Sequence, residues 1–76
     1  MKSAIVKRSI VLAKHKTSVS LEDEFWQGLH QIAASQNKSM AAVVERIDAG
    51  RAHNNLSSAI RIFVFNHFRS RAARKS

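Results

Sequence analysis

The sequence predicts a small, mainly α-helical fold with one β-strand, working as a dimer. Three observations carry this expectation. Residues 14–21, KHKTSVSL, alternate with a period of two. Apolar residues recur at helical spacing in the segments that follow. The chain has 76 residues and no cysteine, so neither a disulfide nor a thiolate metal site can reinforce a thin core, and oligomerisation is the expected staple.

In the strand, Thr17, Val19 and Leu21 fall on one side and Lys16, Ser18 and Ser20 on the other. The more apolar set should cover the core, since opposite parities of a strand face opposite ways. No second strand with a hairpin turn follows, so the lone strand is expected to pair with the same strand of a second copy, which satisfies its backbone donors and acceptors. The upstream RSIVLA is read as an extension of that ribbon or as pairing elsewhere.

A first helix is expected over about residues 22–36. Glu22, Asp23 and Glu24 place negative charge at the positive end of its dipole, and Phe25, Leu29, Ile32 and Ala33 form its buried stripe. Asn37 tolerates the left-handed conformation that closes helices, and Ser39 is a favoured N-cap for the next. The second helix, about 40–49, offers Met40, Val43, Val44 and Ile47 before Gly50 ends it. Asn55 then caps a third helix, about 56–71, whose Leu56, Ala59, Ile60, Ile62, Phe63, Val64, Phe65 and Phe68 exceed a single stripe. Such a helix is expected to pack on both its own subunit and a partner. The whole, 1–76, reads as a single domain with a basic tail at 69–76.

Thirteen Lys and Arg against five Asp and Glu give a net charge of +8. The cations crowd the two ends, with Lys2, Lys7, Arg8, Lys14 and Lys16 before the helices and Arg69, Arg71, Arg74 and Lys75 after them, while all acids lie between Glu22 and Asp48. A field of this sign attracts polyanions. The apolar stretch inside Met1–Ala13 is too short for an export signal, and no run reaches the ~18 residues of a membrane span, so no membrane association is expected.

The strand KTSVSL, then EDEFWQGLHQIAASQNKS and MAAVVERI, resembles the ribbon-helix-helix family, whose pattern is an alternating strand, a helix, a turn with a Ser or Thr cap, and a second helix. TSVSLE, the pair Phe25–Trp26, and NLSSAIR at 55–61 look like a bacterial subfamily of small ribbon-helix-helix proteins. The resemblance implies an intertwined homodimer with an intermolecular two-stranded antiparallel ribbon, here with a third C-terminal helix added. It further implies that the ribbon enters the major groove of double-stranded DNA, with Lys16, Ser18 and Ser20 toward the bases, and that Lys38, Ser39 and Met40 at the second helix's N-terminus, with Lys14, hold phosphate. Val19, Leu21, Val43, Ile47, Ile60 and Phe63 would form the dimer core. The implied role is a cytoplasmic bacterial transcriptional repressor, dimeric or higher on DNA. The alternative is an antitoxin-like or assembly module that engages a protein partner through the third helix. Two departures stand out: Gly50 and the third helix interrupt the family's long second helix, and the strand lacks the arginine or asparagine frequent among base readers.

Other chemistries find little support. His15, His30, His53 and His67 are not paired at metal-binding spacing, Ser57 and Ser58 lack a nucleophile-elbow context, and there is no glycine-rich phosphate loop. No catalytic residue, metal or cofactor is expected. Trp26 could stack on single-stranded nucleic acid, but a structural place in the core or at a subunit interface is the better reading. The same holds for the third helix's phenylalanines against a membrane surface.

Overall fold

The computed structural model describes residues 4–13, 15–50 and 55–75, with side chains up to residue 72. Its elements are β1 (Ile5–Val11), β2 (Lys16–Glu22), α1 (Asp23–Ser35), α2 (Met40–Gly50) and α3 (Leu56–Lys75).

The strand has a partner inside its own chain, which corrects the expectation of a single strand. β1 and β2 form an antiparallel two-stranded ribbon in which Val6 faces Leu21, Arg8 faces Val19 and Ile10 faces Thr17. The sequence hides this pairing for two reasons. β1 reads IVKRSIV, two apolar, three polar and two apolar residues, so its period of two is masked by Arg8 on the inner face. The turn, Leu12 to His15, contains no glycine, proline or asparagine. It is closed by the Leu12 amide donating to the His15 carbonyl at 2.8 Å, while the Ala13 amide donates to the Glu45 carboxylate.

The core is assembled beneath β2. Val19, Leu21, Leu29, Ile32, Val43, Val44 and Ile60 are buried almost completely, joined by Ile10, Leu12, Ala33, Ile47 and Val64. α1 contributes Gly28, Leu29, Ile32 and Ala33 as its buried residues. Phe25, expected in that stripe, is only partly buried because Gly28 takes the position nearest α3. A Cβ on Gly28 would stand 2.8 Å from Val64 Cγ1 and 3.3 Å from Phe68 Cε2, so the missing side chain is what lets α1 and α3 meet.

Helix ends follow the sequence closely. Asn37 is the one described non-glycine residue with positive φ, at 58°. Around it the Asn37 amide donates to the Ala34 carbonyl at 3.1 Å and the Lys38 amide to Ala33 at 2.9 Å, which satisfies carbonyls the helix end would leave bare. Ser39 Oγ accepts from the Ala42 amide at 3.0 Å, and Asn55 Oδ1 from the Ser58 amide at 3.1 Å, both N-caps of the expected kind. Glu22 is extended (φ −64°, ψ 151°) and precedes α1 instead of starting it. α2 includes Gly50, and α3 continues to Lys75, past the expected end near residue 71.

Candidate nucleic-acid interface

Residues opposite each other across the ladder share a face. The inner face therefore carries Val6, Arg8, Ile10, Thr17, Val19 and Leu21, and the outer face carries Ile5, Lys7, Ser9, Val11, Lys16, Ser18, Ser20 and Glu22. Lys7, Ser9, Lys16 and Ser18 are exposed at the centre of that outer face. Lys16, Ser18 and Ser20 thus lie together on the side away from the helices, with Ser20 half-buried. Lys7 and Ser9 share their face, and sequence reading missed both because β1 went unrecognised.

Ser20 owes its partial burial to α3. Its amide donates to Ser57 Oγ at 2.9 Å, and its carbonyl accepts from Arg61 Nη2 at 3.1 Å. Arg61 Nε also donates to Glu22 Oε1 at 2.9 Å. Ser57 and Arg61 are four residues apart and so lie on one side of the helix, a spacing already visible in NLSSAIR. The Arg61 hydrogen bond, helped by Glu22's own amide and by the arginine's charge, holds the Glu22 carboxyl below the usual carboxylate range despite some desolvation. The one acid on the outer face is therefore ionised, yet it is turned to an arginine, and the centre of the face stays positive.

Arg8, on the inner face, places its guanidinium 4.7 Å from the Trp26 ring centroid and Nη2 3.4 Å from Asp23 Oδ1. Trp26 also meets His30 edge to face at 5.6 Å. The indole is thus held as a packing element between strand and helix.

Lys38 and Ser39 are exposed before α2, Met40 is half-buried, and the Ser39 hydroxyl is spent on its cap. Lys14 lies outside the described residues. The residues expected at a dimer core have another place: Val19, Leu21, Val43, Ile47 and Ile60 are buried by their own chain, because α3 covers β2 and α2. Phe63 packs against the same core while partly exposed. On the far side of α3, Ile62 and Phe65 are 51% and 58% exposed. Among the described residues no group of His, Asp and Glu could hold a metal ion, and no helix is long and apolar enough to cross a membrane.

A β-ribbon with a basic, hydroxyl-rich outer face, carried on a helical core, defines a nucleic-acid-binding class of scaffold. The family model for the ribbon-helix-helix domain matches residues 5–68, most of the chain, and the protein belongs to that family. Its members are generally DNA-binding transcription regulators or antitoxins and usually form dimers. They are typically non-enzymatic. No curated protein and no solved structure matches the chain.

Proposed function

We propose that this protein is a homodimeric double-stranded DNA-binding protein, a bacterial transcriptional repressor acting in the cytoplasm by occluding promoters. The observation that carries the reading is the outer face of the ribbon. It presents Lys7, Ser9, Lys16 and Ser18 side by side on a chain of net charge +8. A two-stranded ribbon, ~5 Å between strand axes, fits a major groove ~12 Å wide.

Lys16 donates to guanine O6 and N7, while Ser18 and Ser20 are permissive readers whose hydroxyls both donate and accept. Lys38, with the amides of Ser39 and Met40, anchors a phosphate at the N-terminus of α2, and Lys14 adds a further contact. Because the ribbon is completed within one chain, each protomer carries a whole reading element.

The test is selection from random double-stranded DNA with the purified protein, repeated with Lys16→Ala. The variant should lose about 1–3 kcal/mol at the selected site. An equal loss on every sequence would demote Lys16 to a phosphate contact, and failure to enrich any sequence would reject base reading.

The exposed Ile62 and Phe65 on α3 favour a second reading, in which the module docks a protein partner as antitoxins do. Loss of a co-purifying partner on Phe65→Ala, with DNA binding intact, would support it.

A further inference from the structure

We propose that two copies join through the free edge of β1, so that their hairpins form one four-stranded antiparallel sheet in the order β2, β1, β1, β2. The inference rests on the homodimer of the preceding reading, not on its DNA contact, and it names the seam.

The ladder decides which edge is available. Both backbone groups of Ser20 turn toward α3, so Lys7 and Ser20 are a non-hydrogen-bonded pair, and the alternation of antiparallel ladders follows. The Leu12 amide, on the even-numbered phase, points to its partner across the turn and agrees with this phase. The outer edge of β2 is thus covered at Ser20 by Ser57 and Arg61. On β1 the backbone groups of Ile5, Lys7, Ser9 and Val11 point the other way, to an edge along which Ile5, Val6 and Val11 are 59%, 40% and 68% exposed. α1 and α3 pack beneath β2, leaving room beside β1. An exposed apolar strand edge invites pairing.

The sequence of β1 fits a second copy of itself. IVKRSIV has the same polarity read in either direction. An antiparallel two-fold pairing that keeps both inner faces on one side of the sheet can be centred near the middle of the strand on Lys7, Arg8 or Ser9. Centred on Lys7, it would set two lysines opposite each other; centred on Ser9, it would set Lys7 against Val11. Centred on Arg8, it matches Ile5 with Val11, Val6 with Ile10, and Lys7 with Ser9. That register also has the right phase, since the outward backbone groups of Lys7 and Ser9 then bond to each other. The two Arg8 side chains meet at the axis, and each is drawn to its own Trp26 and Asp23. The outer strands of such a sheet stand about 15 Å apart, broader than the groove, so a dimer built this way reads DNA with one hairpin at a time.

Engineered cysteines test the register, since the chain has none of its own. Under mild oxidation a mixture of Lys7→Cys and Ser9→Cys proteins should cross-link, because opposed residues lie about 5.5 Å apart. Either variant alone should not, its two cysteines being two residues out of register. Ser9→Pro should leave the hairpin intact, as the lost amide faces the edge, yet shift the sedimenting mass from dimer to monomer. A wild-type monomer, a dimer untouched by Ser9→Pro, or cross-linking by one variant alone as efficient as by the mixture would overturn the proposal. Site selection on DNA, measured separately, reports on the functional reading.

Discussion

Gly28 shows how one missing side chain positions two helices. Its Cα faces Val64 and Phe68 at distances that leave no room for a methyl group, and Val64 is nearly buried, at 5% exposure. Alanine there would gain up to about 1 kcal/mol of helix propensity against the clash, whereas valine adds bulk in a stiff rotamer. Gly28→Val should cost about 1–3 kcal/mol by overpacking. In a domain of this size each kcal/mol lowers the thermal midpoint by roughly 4–8 °C, readable by circular dichroism. A midpoint at or above that of the wild type would mean that α1 and α3 do not meet closely at this residue.

Among the elements, the seam between β2 and α3 carries a pH dependence with a definite sign. Arg61 bonds both Glu22 and the Ser20 carbonyl, and Glu22 titrates below its ordinary value of 4.5 in the fold. A carboxyl whose folded pKa is depressed contributes stability above its unfolded pKa, and that contribution is lost as pH falls through the folded value. Arg61→Gln should therefore be less stable than the wild type near pH 7, and the gap should narrow as pH drops below about 4.5 toward 3. Urea titrations at several pH values measure it, and a gap constant across that range would remove the ion pair from the explanation. Both side chains are about 30% exposed, so salt screens much of the effect.

The helical elements were legible because their signals are local. The buried Leu29, Ile32, Val43 and Ile47 recur at helical spacing, Asn37 supplies the left-handed turn, and Ser39 and Asn55 are caps whose partners lie three residues away. The parity of β2 was legible for the same reason, since Val19 and Leu21 are its apolar pair. β1 was not, because its pattern makes sense only once Arg8 is seen lying on Trp26. With β1 went Lys7 and Ser9, which belong to the same surface as Lys16 and Ser18.

At the scale of the whole molecule, charge makes the most direct prediction. If the bound protein neutralises about six phosphates, the logarithm of affinity should fall against the logarithm of salt concentration with a slope near −5, each phosphate giving about −0.9. Fluorescence anisotropy on a labelled duplex at several salt concentrations measures it. An affinity indifferent to salt would exclude a phosphate-anchored mode, whatever the ribbon reads.

The sequence by itself determined the helices, their caps, the face of β2 that turns inward and the positive charge, since each follows from neighbours a few residues apart or from composition. Only the tertiary structure decided that β2 pairs with β1 of the same chain and that α3 covers the far edge at Ser20 through Ser57 and Arg61. It also placed Val43, Ile47 and Ile60 in the protomer's own core. These depend on backbone groups and side chains brought together from distant positions, and no periodicity along the chain records which strand edge or helix face will meet which.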